Sequence, residues 1–176
     1  MLPILQLIVD TVAGVLGGVL LLRFWMQVIR VRPPASVGQF TFTLSDWLVR
    51  PLRRIVPGMG GYDWASLIGA FLVVLAASSL MLLFGATGQM VLVYALSRLL
   101  NWIIYGFMGL LIIEVIFSWV NPYAPLAPFV RALNEPLLRP IRRVIPPVGG
   151  IDFSVLVAFL LLQIIQYLLR QALMLP

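Results

Sequence analysis

Four charged side chains interrupt long apolar stretches of the sequence: Asp10, Arg23, Arg98 and Glu114. A charge within an apolar span is costly, so such groups commonly mark an ion or proton path, or an ion pair between helices. Glu114 lies in the most apolar surroundings, where a lone carboxylate tends to take up a proton. Its role is open between a neutral or Arg23-paired structural carboxyl and a group on a transport path.

Two arginine-rich segments are the second candidate site, for anion binding. The chain carries 12 basic residues, all arginine, against six acids, and its net charge is +6. A guanidinium group binds phosphate through two parallel hydrogen bonds, so these segments could bind anionic lipid headgroups or the acidic segment of a protein partner. Orientation in the membrane is the simpler alternative. The residues concerned are Arg50, Arg53, Arg54, Arg139, Arg142 and Arg143.

Several kinds of chemistry are excluded by composition. The sequence contains no Cys and no His, which removes thiol nucleophiles, disulfides, the usual zinc ligands and histidine-based triads. No nucleophile and base stand at a recognisable spacing, so we expect no catalytic residue, no metal site and no cofactor. Nucleic acid is not an expected partner, because the arginines lie beside apolar runs rather than on a soluble domain.

The elements that must hold these side chains are membrane-spanning helices. Hydrophobic residues make up 62% of the chain, charged residues 10%, and the mean hydropathy is +1.07. Four apolar stretches reach the length of roughly 20 residues that a bilayer core requires. They cover about 4–29, 64–84, 91–120 and 153–175. The sequence predicts an all-α membrane protein with four transmembrane helices, the first kept as an anchor rather than removed as a signal peptide.

An internal repeat divides the chain into halves, 1–88 and 89–176. A shift of 89 residues aligns 50–63 with 139–152, and eight of these 14 positions are identical. Each half is a helix, a basic loop (30–63 or 121–152) and a second helix, so both halves cross the membrane in the same orientation. The identical positions of the first copy are Arg50, Pro51, Arg53, Arg54, Pro57, Gly60, Gly61 and Asp63.

Each basic loop is expected to contain a short amphipathic helix in the headgroup plane. Ser45 and Asn134 resemble N-caps that would start these helices, and Pro51 would break or kink the first one. Residues 137–146 repeat that design. Paired glycines would then turn the chain so that Asp63 and Asp152 cap the next spanning helices. These glycines are Gly60, Gly61, Gly149 and Gly150.

The repeat also fixes relative depths in the first and third spanning helices. It places Asp10 beside Arg98 and Arg23 near Glu114, which gives two candidate ion pairs. Helical angles favour only the first pair. Gly17 aligns with Gly106, so we expect these two helices to cross there.

The arginine bias of the two basic loops predicts topology. The loop between the second and third helices carries no arginine, whereas both basic loops lie on one side of the membrane. The positive-inside rule therefore predicts cytoplasmic basic loops and two termini on the opposite side of the membrane.

The tandem motif Arg-Pro-[Leu/Ile]-Arg-Arg-x-x-Pro-x-x-Gly-Gly-x-Asp, with 22–27 before one copy and 117–119 before the other, resembles the YggT family over the whole chain. The two-copy arrangement is similar to the Gram-negative form. This resemblance implies a bacterial inner-membrane protein connected with osmotic or potassium homeostasis, cell division or assembly of membrane complexes. It brings no catalytic residues.

Two functions follow as hypotheses. The first is a non-enzymatic scaffold or assembly factor whose arginine segments bind anionic lipid or a cytoplasmic or membrane protein partner. The alternative is a potassium or proton transport or osmotic-stress protein that uses Glu114. Four short helices also leave a homo-oligomer open.

Overall fold

The computed structural model describes residues 2–56, 58, 60–145 and 152–173. This part of the chain is helical and contains no β-strand, which confirms the predicted all-α class. A 3₁₀ helix, Ser79–Phe84, continues the third α-helix. The α-helices are α1 (Leu2–Val28), α2 (Ala35–Ile55), α3 (Trp64–Ser78), α4 (Gly88–Val120), α5 (Ala127–Val144) and α6 (Phe153–Ala172).

Four helices are long and apolar enough to cross a membrane, as predicted. They are Ile4–Val28, Trp64–Phe84, Gly88–Val120 and Phe153–Ala172. With 33 residues, α4 is about 50 Å long, which exceeds a hydrocarbon core of about 30 Å. It therefore extends beyond the core on at least one side.

The two halves have the same arrangement of helices. In the first half α1 packs along α3 and α2 contacts both; in the second half α4 packs along α6 and α5 contacts both. Val49 of α2 and Leu138 of α5 occupy equivalent positions of the repeat, and both are fully buried in the core of their own half. Each loop helix is thus held against its bundle by an apolar side chain.

The halves are joined chiefly by packing of α3 and α1 against α4, and the end of α1 also reaches α5. Met26 packs with Phe129 and Leu133 in a third small core. Beside it, Nε1 of Trp25 donates a 2.9 Å hydrogen bond to the carbonyl oxygen of Leu133. Trp25 also meets Phe107 edge to face, with ring centroids 4.9 Å apart.

The crossing of α1 and α4 at Gly17 is asymmetric. A methyl group added at Gly17 would lie 2.1 Å from the ring of Trp102, whereas one added at Gly106 meets nothing within 4 Å. The glycine at position 17 therefore admits an indole ring. The expected partner, Gly106, plays no part in this contact, because the bulky Trp102 fills the space between the two helices.

The loop helices are longer than predicted, and the predicted N-caps were wrong. α2 starts at Ala35 and α5 at Ala127, so Ser45 and Asn134 lie within them and are buried. Of the predicted break or kink at Pro51, the break does not occur, since α2 continues to Ile55. Pro51 is exposed, so the carbonyl that loses its helical donor faces outward rather than a dry core.

Two glycines make the turn before α3. Gly60 has φ 69° and Gly61 φ 82°, the left-handed region that glycine enters without steric cost. This prediction is confirmed for the first half. Gly149 and Gly150 lie outside the described residues.

Candidate functional site

Charged side chains from three helices meet where α1 ends, α2 crosses and α3 begins. We call this group the first ionic cluster. It consists of Arg23, Ser45, Asp46, Arg50, Arg53, Asp63 and Ser66.

Arg23 of α1 is the centre of the first ionic cluster and is only 4% exposed. Its Nη1 donates to Ser45 Oγ at 2.6 Å and to Asp46 Oδ1 at 2.7 Å. Its Nε lies 3.6 Å from Asp63 Oδ2, and its guanidinium carbon lies 4.9 Å from the ring centroid of Phe42. One buried cation thereby ties α1 to α2 and to the start of α3.

Arg53 binds Asp63 in a bidentate way. Its Nε and Nη2 donate to the two carboxylate oxygens at 3.1 and 2.6 Å, and Ser66 Oγ donates to Oδ2 at 2.6 Å. Burial raises the pKa of Asp63, but these hydrogen bonds and the nearby guanidinium charges outweigh it and leave the pKa below its ordinary value. Asp63 precedes α3, but its side chain accepts no hydrogen bond from the backbone N–H of a described residue, so the predicted cap was wrong.

Asp46 links the buried and exposed parts of the first ionic cluster. Besides accepting from Arg23, it accepts a 2.7 Å hydrogen bond from Nη2 of Arg50, one helical turn later. The hydrogen bond from Arg23 is the main cause that lowers the pKa of Asp46. Three guanidinium groups therefore face two carboxylates in this cluster.

The second ionic cluster lies at the equivalent place of the other half, between α4, α5 and α6. Its charges have the opposite balance, because one guanidinium faces three carboxylates. The members are Glu114, Asn134, Glu135, Arg142, Asp152 and Ser154.

Arg142 holds the second ionic cluster together. Its Nη2 lies 3.2 Å from Glu114 Oε1 and 2.7 Å from Asp152 Oδ2, and its Nη1 lies 2.9 Å from Glu135 Oε2. Burial alone would lower the pKa of Arg142, but the hydrogen bond and charge of Asp152, with help from Glu114, raise it above its ordinary value. This guanidinium is the common partner of all three acids.

Glu114 is a buried structural acceptor in this arrangement. It is 8% exposed, and its Oε2 accepts a 2.7 Å hydrogen bond from Nδ2 of Asn134, which also donates to the carbonyl oxygen of Leu110. The candidate pair between Arg23 and Glu114 does not form. Each of the two finds partners within its own half, because α2 and α5 bring opposite charges closer.

Asp152 is a true helix cap. One of its oxygens accepts from the backbone N–H and the hydroxyl of Ser154, while the other accepts from Arg142. Burial alone would raise the pKa of Asp152, but the hydrogen bonds from Ser154 and Arg142 lower it below the ordinary value. The equivalent position in the first half, Asp63, uses its carboxylate for arginine instead.

The six arginines of the predicted binding segments divide into two groups. Arg53 and Arg142 are held by internal carboxylates, and Arg50 is mostly exposed but paired with Asp46. The other three, Arg54, Arg139 and Arg143, are exposed and make no ion pair with any described residue.

Asp10 and Arg98 form the expected ion pair at the other end of the bundle. Arg98 Nη2 lies 2.7 Å from Asp10 Oδ1, and the Arg98 guanidinium lies 5.3 Å from the ring centroid of Trp102. Along α4, nine residues, or about 13 Å, separate Tyr105 at this end from Glu114, and the residues between them are apolar or glycine. Within the described chain, the polar groups of the two ends are therefore not continuous along α4.

Sequence reasoning missed how the buried polar groups of the loop helices are used. Ser45 and Asn134 stand at equivalent positions of the repeat, as do Asp46 and Glu135. The sequence predicts the first two as N-caps and the two acids as first-turn residues, whereas all four lie inside their helices. Asp46 lies four residues before Arg50 and Glu135 lies seven residues before Arg142, so each acid shares a helix face with an arginine that it binds, and this was the usable signal. Among the described residues, no group of three or more acidic side chains is placed to hold a metal ion.

Comparison with known proteins supports the two-copy organisation. A family model described as CCB3/YggT matches residues 1–84 and again 93–173. The uncharacterized protein PA0392 of Pseudomonas aeruginosa is 37% identical over 168 residues, which cover 92% of this chain and 85% of that protein. The protein YggT of Escherichia coli K12 is 33% identical over 169 residues, which cover 92% and 86% of the two chains. No solved structure matches this chain.

Proposed function

Because the chain belongs to the CCB3/YggT family, in a form with two copies of the family unit, we propose that it is a non-enzymatic membrane scaffold held by two arginine-bearing interfacial helices. The observation that carries this proposal is the division of the arginines. Arg53 and Arg142 bind internal carboxylates, whereas Arg54, Arg139 and Arg143 are exposed without an ion pair to any described residue.

The internal arginines supply rigidity to the proposed scaffold. Arg23 and Arg53 fasten α2 to the ends of α1 and α3, and Arg142 fastens α5 to α4 and α6. A helix pinned in this way presents its outward side chains in a fixed direction. The conformational entropy lost when the internal arginines are ordered is therefore lost on folding rather than on binding.

The outward side chains fit an anionic lipid surface. Arg54 of α2 and Arg139 and Arg143 of α5 each offer a planar donor set for phosphate. Exposed aromatic rings accompany them at this end of the bundle, at Trp47 and at Trp119, and such rings favour the headgroup layer. Anionic phospholipid is the ligand that we assign to this face.

The proposed orientation is the one that the arginine bias favours. Both loop helices would lie at the cytoplasmic face of a bacterial inner membrane, with the two termini on the periplasmic side. A reporter fused to the C-terminus and active only in the periplasm tests this orientation. Activity only in the cytoplasm would reverse it.

Transport through Glu114 is the weaker candidate. Its carboxylate accepts from Asn134 and pairs with Arg142, so it serves as an anchor for α5. The apolar stretch of about 13 Å between Tyr105 and Glu114 also separates it from the polar end of the bundle. We therefore assign Glu114 to the scaffold. Potassium and proton flux into proteoliposomes that changes with Glu114→Gln would contradict this assignment.

The lipid proposal is tested by lipid retention. The triple variant Arg54→Gln, Arg139→Gln and Arg143→Gln should lose phosphatidylglycerol relative to phosphatidylcholine during purification, measured by native mass spectrometry. At about 1 kcal/mol per arginine, the loss is on the order of 100-fold in affinity.

Two controls define the outcome. The corresponding lysine triple keeps the charge and should retain most of the phosphatidylglycerol. Arg170→Gln, at the other end of the bundle, should leave retention unchanged. If the glutamine triple retains as much phosphatidylglycerol as the unmodified protein, the arginine face does not bind lipid and an acidic protein segment becomes the partner to seek.

A further inference from the structure

A cavity of about 770 Å³ opens between α4, α5 and α6 beside the second ionic cluster. Side chains that are about half exposed, Ile112 and Leu156, lie on its wall, so it opens at the outer surface of the bundle. Its volume lies within the range of small-ligand sites. The wall on α6 runs from Asp152 to Phe159, seven residues or about 10 Å along the helix. The cavity can therefore accept a headgroup and part of a chain.

The cavity has a charged region and an apolar region. Arg131, Arg142, Glu114 and Asp152 supply the charges, whereas the remaining wall is mainly aliphatic and aromatic. Glu114, Glu135 and Asp152 share the single guanidinium of Arg142, so carboxyl groups outnumber guanidinium groups even when Arg131 is included. A cation bound beside Asp152 would balance this excess. Arg131 is exposed and makes no ion pair with any described residue, so it is available for an anion.

We propose that this cavity binds one phospholipid with a primary ammonium headgroup, its phosphate on Arg131, its ammonium on the carboxylates of Asp152 and Glu114, and an acyl chain along α4 and α6. A primary ammonium has three N–H donors for carboxylate oxygens, whereas a quaternary ammonium has none. The headgroup therefore carries both charges that the cavity complements. The site is independent of the exposed arginines assigned above to anionic lipid.

The first half lacks the features that make this site. The position equivalent to Arg131 is Phe42, whose ring covers Arg23, and the position equivalent to Glu114 is Trp25, whose Nε1 binds the carbonyl of Leu133. The first ionic cluster also has guanidinium groups in excess. We therefore expect one lipid with a primary ammonium headgroup per chain, bound in the second half.

The test is binding of three lipids with identical short acyl chains to the delipidated protein, followed by native mass spectrometry. Phosphatidylethanolamine should bind as a single molecule, about tenfold more tightly than phosphatidylcholine, because only the former donates hydrogen bonds to carboxylates. In the Arg54→Gln, Arg139→Gln and Arg143→Gln triple variant, which lacks the exposed arginines assigned to anionic lipid, phosphatidylglycerol should bind more weakly than phosphatidylethanolamine. Equal binding of the ethanolamine and choline lipids, or tighter binding of phosphatidylglycerol to that triple variant, would overturn the proposal.

Single variants distinguish the contact with the phosphate from the contact with the ammonium group. Arg131→Gln should weaken binding of both zwitterionic lipids about tenfold and keep their ratio, since it removes the phosphate contact. Glu114→Gln leaves Arg142 with two carboxylate partners. It should lower the ratio of the affinity for phosphatidylethanolamine to that for phosphatidylcholine. Arg170→Gln, at the far end of α6, is the control and should change neither. An equal effect of Arg131→Gln and Arg170→Gln would reject the cavity as the site.

A soluble competitor identifies the source of the headgroup. Phosphoethanolamine has the same ammonium and phosphate but no acyl chain, so it should displace the lipid only at far higher concentration. Displacement at equal concentration would mean that the cavity binds a soluble metabolite, which would contradict the lipid assignment. Neither result changes the expected loss of phosphatidylglycerol from the triple variant described above. The cavity proposal and the proposal for the exposed arginines can therefore fail independently.

Discussion

The two ionic clusters occupy equivalent places in the repeat but have opposite charge centres. In the first, a buried arginine on the spanning helix, Arg23, is met by two aspartates. In the second, a buried acid on the spanning helix, Glu114, is met by Arg142 of the loop helix. Both halves of the repeat thus have a charged bridge between spanning helix and loop helix, and the charge on the spanning helix has the opposite sign in the two halves.

The clusters also differ in how many partners each charge has. Asp63 accepts hydrogen bonds from Arg53 and Ser66 and lies near Arg23, so its carboxylate does not depend on a single arginine. In the second ionic cluster the acids depend mainly on one guanidinium, that of Arg142. We expect the first cluster to tolerate the loss of one member and the second to fail.

The largest effect should come from Arg142→Gln. The change leaves Glu114 buried without a cation and should lower the free energy of unfolding by about 3–5 kcal/mol. The matched change Arg53→Gln should cost clearly less, because Arg53 is 44% exposed and Asp63 keeps its other partners. Thermal unfolding in detergent, followed by the folded fraction on gel filtration, measures both. Equal costs would show that the clusters do not differ in redundancy.

A smaller effect, with opposite signs in the two halves, should appear at the equivalent glycines. Gly17→Ala places a methyl group against Trp102 and should destabilise by about 1–3 kcal/mol. Gly106→Ala meets open space inside a helix and should stabilise by about 0.5–1 kcal/mol. The same unfolding assay checks this pair. Two changes of the same sign would mean that the asymmetric crossing is not present in solution.

The smallest effect should be a loss of stability at acid pH. Asp46, Asp63 and Asp152 have pKa values lowered by folding, so their contribution is complete above the ordinary aspartate value of about 3.9 and falls as pH drops below it. Unfolding temperature should therefore fall as the pH drops from about 4 toward about 2. Asp63→Asn should reduce this dependence, and Arg170→Gln, remote from all three, should not. A flat profile over that range would be inconsistent with these ion pairs.

Much of the architecture could be predicted from the sequence, because apolar length and the repeat are strong signals. Four spanning helices and their pairing into two copies follow from them. The start of α2 at Ala35 could not be predicted in this way, because Ser45 followed by Asp46 has the composition of a helix N-cap. Ser45 is buried against Arg23 and accepts a hydrogen bond from it, and this tertiary contact determines the role of Ser45. No local sequence pattern predicts the contact.

The ion pairs were harder to predict than the helices. A repeat shift gives the depth of Arg23 relative to Glu114, but not the side chains that α2 and α5 bring to that depth. Asp10 and Arg98 could be paired because both lie on spanning helices on the contact face. The two clusters instead depend on loop helices whose position against the bundle is set by buried apolar residues such as Val49 and Leu138.

The most direct test of the claim that one guanidinium sustains the second ionic cluster is a double-mutant cycle between Arg142 and Glu114. We expect Arg142→Gln alone to be the least stable variant, and Glu114→Gln added to it to restore part of the lost stability, because no unpaired buried charge then remains. The coupling should be about 1–3 kcal/mol. Additive costs, or an Arg142→Gln protein as stable as the unmodified chain, would contradict it.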